Sequence, residues 1–135
     1  MKYFLCAFDT IYLGLPSERT ERIISVSKIQ SSVYETDEQN TFISLPLLFR
    51  YSVLPAPHGI VLKSEEEEKK IILLVPPLDI DLEIPEKDIY SVPKAFSGIL
   101  HFIKGVCFIN RDQEDRLIFI LDIEKLIKDY KCKTR

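Results

Sequence analysis

Asp122 is the carboxylate best placed for chemistry, because it directly follows the apolar run LIFIL. A carboxylate just past the end of a buried strand is a common position for a catalytic acid or a metal ligand, and also for a helix N-cap. After it, apolar residues recur at the helical spacings of three and four: Ile123, Leu126, Ile127 and Tyr130. The third residue after Asp122 is Lys125, so a full capping box is absent. We predict that Asp122 is a structural cap joining the last strand to a short C-terminal helix.

The other groups that could act as nucleophile, base or ligand are few and scattered. Catalysis by serine or cysteine needs a base, usually histidine, and the chain has 2 histidines, His58 in a proline-rich loop and His101 in an apolar run. The 4 glycines are too dispersed for a phosphate loop, and the 3 cysteines form no Cys-x-x-Cys pair. These observations predict a protein that is not an enzyme and has no cofactor or metal. Unpaired cysteines are typical of the reducing cytoplasm.

Two acidic stretches could bind cations, but their geometry favours exposure to solvent. In LDIDLEIP, Leu78, Ile80, Leu82 and Ile84 alternate with three acids: Asp79, Asp81 and Glu83. Alternation of period two puts the acids on one strand face about 7 Å apart, too far to surround one calcium ion. The run EEEE between two apolar segments is predicted to be the solvated tip of a hairpin, because adjacent carboxylates repel.

The overall composition limits the possible partners. A net charge of -3 and a pI of 5.4 argue against a nucleic-acid partner. No apolar run approaches the roughly 18 residues that a membrane span needs, so we expect no membrane insertion. The length of 135 residues suits a single domain spanning residues 1–135.

The arrangement of apolar runs predicts an all-β protein. The 8 prolines separate short runs rich in Ile, Val, Phe and Tyr. Candidate strands span 3–8, 11–16, 21–29, 41–51, 60–62, 71–75, 78–84, 98–109 and 117–121, with a tight turn at Asp9-Thr10 and polar turns at 31–40 and 110–115. Pro46 indicates an edge position or a strand that gives way to a short helix. Gly105 inside a strand indicates a bulge or a close backbone approach.

In its order of segments the chain resembles the CheW-like domain, the adaptor module of bacterial chemotaxis. The likeness lies in three stretches: YFLCAFDTIYLGLPSERTERIIS, KKIILLVPPLDIDLEIPEKDIYSVP and FIKGVCFINRDQEDRLIFILDIEKLI. The resemblance implies two small five-stranded SH3-like barrels packed as one domain. It also implies no catalysis, and a role in coupling a histidine kinase to methyl-accepting receptors.

The chain departs from the family in its first half. Where members carry a glycine and an arginine, SKIQSSVYETDEQN has neither, and Pro46 replaces a strand-ending aspartate. The missing residues belong to a region that the family uses for partner contact. Either the chain is a divergent member with a changed partner, or the likeness is one of architecture alone.

Three functional hypotheses follow. The first is the adaptor, with aromatic side chains as partner anchors: Tyr12, Tyr34, Phe42 and Phe49. For each of these, the ordinary alternative is a core position. The second is a small-molecule-binding regulatory β-barrel outside chemotaxis. The third is an enzyme that uses Asp122 or His101.

Overall fold

A computed structural model describes residues 1–8, 11–27, 31–50, 55–63, 69–92, 101–111 and 113–133. The chain divides into two compact units: one contains Met1–Ser17 and Ile80–Arg135, and the other contains Glu18–Asp79. Each unit is built around its own β-sheet, and strand β8 (Leu78–Glu83) spans the boundary in sequence between the two units. The prediction of a single domain spanning residues 1–135 stays a prediction.

The first unit contains a six-stranded sheet with the order β8-β1-β2-β11-β10-β9. Its strands are β1 (Lys2–Phe8), β2 (Ile11–Pro16), β8 (Leu78–Glu83), β9 (Tyr90–Ser91), β10 (Ile103–Arg111) and β11 (Glu114–Leu121). Strands β2 and β11 pair in parallel, whereas β1–β2, β10–β11 and β9–β10 pair antiparallel. Helix α2 (Ile123–Lys133) follows β11, and a single 3-10 turn (Glu86–Asp88) precedes β9.

The second unit contains a five-stranded sheet with the order β3-β6-β7-β5-β4. Its strands are β3 (Thr20–Ser25), β4 (Tyr34–Thr36), β5 (Asn40–Ser44), β6 (His58–Leu62) and β7 (Lys70–Val75). A 3-10 turn (Ser17–Arg19) leads into β3, and helix α1 (Leu45–Leu48) follows β5. Strands β5 and β7 pair in parallel, and the other pairs of this sheet are antiparallel.

Alternating side chains build a core cluster in each unit. In the first unit, buried side chains from one face of the sheet and from Ile84, which directly follows β8, form one cluster: Tyr3, Leu5, Ile84, Cys107, Ile118 and Ile120. In the second unit, a cluster forms around Val61, Ile72 and Leu74. Burying each such aliphatic side chain contributes about 1.5–3 kcal/mol relative to leaving it in water.

Most of the predicted elements are confirmed. Asp79, Asp81 and Glu83 are exposed while Ile84 is buried, as period two requires; the side chain of Ile80 lies outside the described residues. Strands β6 and β7 form the predicted antiparallel pair, although its acidic tip (64–68) and the Asp9-Thr10 turn lie outside the described residues. Pro46 lies in the first turn of α1, so the strand does give way to a short helix.

Two predicted turns are wrong in detail. The segment 31–40, expected to be a turn, contains strand β4, because pairing with β5 outweighs its polar composition. The segment 110–115 is mostly strand, since β10 continues to Arg111 and β11 begins at Glu114. Gln113, between them, has a φ of 64°, in the left-handed region that tight turns use.

Candidate partner-binding surface

An exposed apolar patch lies on the sheet of the first unit, on the face opposite its core cluster. Its centre is formed by Tyr90 on β9 and Phe108 on β10, whose side chains are 61% and 68% exposed. We call this the Tyr90–Phe108 patch and include in it the partly buried residues Val106, Leu117 and Phe119. Large side chains left in water at adjacent positions are a feature of binding surfaces.

Strand register explains why these side chains share a face. Val106 pairs with Tyr90 on one side and with Phe119 on the other, so the three side chains point the same way. Phe108 lies two residues further along β10 and pairs with Leu117. The residue between them, Cys107, points to the opposite face and is buried in the core cluster.

Because Gly105 has no side chain, β9 can approach β10 closely enough for Tyr90 to pair with Val106. A Cβ atom added at Gly105 would lie 2.5 Å from Cγ2 of Ile89 and 3.2 Å from the backbone oxygen of Tyr90. The register of β10 against β11 also shifts between Ile103 and Gly105. The prediction of a bulge or a close backbone approach at Gly105 is therefore confirmed, because both features are present.

Tyr12, the predicted anchor in the first unit, lies on the core side of the sheet. It pairs with Ile118 across β2 and β11 and packs partly buried against the core cluster. The guanidinium carbon of Arg116 lies 5.9 Å from the centre of the Tyr12 ring, within cation–π range. Tyr12 and the Tyr90–Phe108 patch are therefore on opposite faces of the same sheet.

The other three predicted anchors lie in the second unit and are all half-buried. Phe42 packs against the core cluster around Val61, Ile72 and Leu74. Tyr34 pairs with Ile43, the neighbour of Phe42, and so points to the opposite face of the sheet. Phe49 follows α1, and its N–H donates to the carbonyl oxygen of Leu45 at 3.0 Å. Their role as partner anchors stays a prediction.

Asp122 occupies the position before the first residue of α2. Its Oδ1 accepts a hydrogen bond from the N–H of Lys125 at 3.1 Å, and its carbonyl accepts from Leu126 at 3.1 Å. Its own N–H donates to the carbonyl of Phe102 at 2.7 Å. This is the geometry of an N-cap, in which a side-chain oxygen satisfies an N–H that the helix leaves unpaired.

The histidines show no catalytic arrangement in the part of the chain that the structure describes. The Nδ1 atom of His58 is buried without a hydrogen-bond partner among the described residues, whereas a catalytic base is oriented through its second nitrogen. His101 is exposed and stacks edge-on against Phe102, with ring centroids 4.7 Å apart. Across the same residues, no group of three or more His, Cys, Asp or Glu side chains could hold a metal ion.

The pKa shifts of the two buried cysteines and of Glu21 have structural causes. Burial raises the pKa of the Cys6 thiol, and burial together with the nearby charge of Asp88 raises the pKa of Cys107. The hydrogen bond and ion pair from Lys70, at 2.9 Å, lower the pKa of Glu21. A raised thiol pKa leaves little thiolate at neutral pH, so neither buried cysteine is an activated nucleophile.

Solved structures identify the fold. The crystal structure of the scaffolding protein TtCheW from Thermoanaerobacter tengcongensis matches this chain with a TM-score of 0.65 at 17% sequence identity. The match covers 89% of this chain and 82% of that chain. This chain has a CheW-like fold.

The CheW-like fold agrees with the predicted fold class: an all-β protein of two SH3-like units with a short C-terminal helix. The two sheets have six and five strands rather than the five each that were predicted. One strand of the six-stranded sheet, β9, is only two residues long. No family model matches the chain, and no curated protein matches it. Among the described residues, no helix is both long and apolar enough to cross a membrane.

Proposed function

We propose that this chain is a non-enzymatic cytoplasmic adaptor in chemotaxis-type signal transduction, coupling a histidine kinase to receptors through protein–protein contacts. The observation that carries the proposal is the CheW-like fold, which matches a scaffolding protein over most of both chains. At 17% identity that likeness establishes the fold, and the adaptor role is inferred from it. The capping role of Asp122 adds support, because the carboxylate that most resembles a catalytic group has a structural explanation.

We further propose that the Tyr90–Phe108 patch contacts one of the partners. Binding energy at protein interfaces concentrates in a few large side chains, with aromatic residues prominent among them. Tyr90 and Phe108 keep most of their surface in water, so a partner could bury both rings with little rearrangement of the sheet. By contrast, Tyr12 and Phe42 already pack against core clusters and have less surface to offer.

The departures of the sequence from the family bear on which partner this surface recognises. The segment SKIQSSVYETDEQN lacks the glycine and arginine that the resemblance associates with partner contact. A contact displaced onto the Tyr90–Phe108 patch would allow the chain to keep an adaptor role with a changed partner.

Binding to purified partners tests the proposal. The chain is mixed with the chemotaxis histidine kinase, and separately with the cytoplasmic part of a receptor, from the organism that encodes it. Affinity is measured by isothermal calorimetry. We expect saturable binding to at least one of them. The double variant Tyr90→Ser/Phe108→Ser should weaken that binding at least about tenfold, which corresponds to about 1.4 kcal/mol.

Ile23→Ser is the matched control, because Ile23 is an apolar residue that is 42% exposed on strand β3 of the other unit. The control should bind like the unmodified chain, and all three proteins should unfold at similar urea concentrations. Absence of binding to both kinase and receptor would refute the adaptor role. Unchanged binding by the double variant would refute only the assignment of the patch.

A further inference from the structure

We draw no further inference here: the strongest candidate outside the Tyr90–Phe108 patch, the outer edge of strand β3 with the exposed side chain of Ile23, carries nothing because no feature of the described residues shows what covers it.

Discussion

Two substitutions of Asp122, to Ala and to Asn, distinguish a role as helix cap from a role in catalysis. In Asp122→Ala the backbone bonds to Phe102 and Leu126 can remain, because they use main-chain atoms only. What is lost is the 3.1 Å hydrogen bond from the N–H of Lys125 to Oδ1. In Asp122→Asn a side-chain oxygen remains in the same place, while the negative charge and the carboxylate chemistry are removed.

The size of the effect follows from the N-cap geometry. Loss of one N-cap hydrogen bond costs about 1 kcal/mol of protein stability, within a measured range of about 0.5–2. The side chains of Ile123 and Leu126 are buried, so fraying of the first turn of α2 would also disturb packing. We therefore expect Asp122→Ala to lose about 1–2 kcal/mol, and Asp122→Asn to lose less than half of that because Asn is an equally good cap.

Urea unfolding followed by circular dichroism measures both variants, and partner binding is measured in parallel under native conditions. We expect Ala to lower the midpoint clearly, Asn to lower it little, and both to bind partners like the unmodified chain. If Asp122→Asn destabilised the fold as much as Asp122→Ala, the capping explanation would be wrong. Loss of a biological activity in Asp122→Asn without loss of stability would instead support a chemical role.

Three further predictions test the packing, the thiols and an ion pair. Gly105→Ala should destabilise the chain by about 1–3 kcal/mol in urea titrations, since its Cβ would lie 2.5 Å from Cγ2 of Ile89; an unchanged midpoint would contradict that contact. In the native chain at pH 8, the exposed thiol of Cys132 should react rapidly with a disulfide reagent, and the two buried thiols only after unfolding; three fast-reacting thiols would contradict their burial. Lys70 lowers the folded pKa of Glu21 below its ordinary value of 4.5. The stabilising contribution of this pair should therefore be present above pH 4.5 and be lost as pH falls through the folded pKa. Lys70→Ala should remove that part of the pH dependence, as measured by unfolding midpoints from pH 7 to 3.

The parts of the fold that depend on local patterns could be predicted from sequence. Alternation in LDIDLEIP identified the exposed acids of β8, and Pro46 marked the end of β5. The spacing of apolar residues after Asp122 identified α2. The parallel pairs β2–β11 and β5–β7 could not be read from these patterns, because they join segments far apart in sequence. The resemblance to the CheW-like domain predicted two SH3-like barrels, but it did not specify these two pairs.

The proposed binding surface was harder to predict, because alternation identifies the two faces of a strand without saying which side chains stay exposed. Strand β10 carries apolar residues on both faces: Cys107 points into the core cluster, whereas its neighbour Phe108 is 68% exposed. Tyr90 shares a face with Phe108 only because it pairs with Val106, which requires the close approach at Gly105. The glycine was visible in the sequence as a disturbance of the strand, but the residue brought near it comes from another element. Whether an aromatic residue is a candidate anchor therefore depends on the strand residue with which it pairs. For Tyr90 that residue is Val106, and the pairing is seen only in the folded sheet.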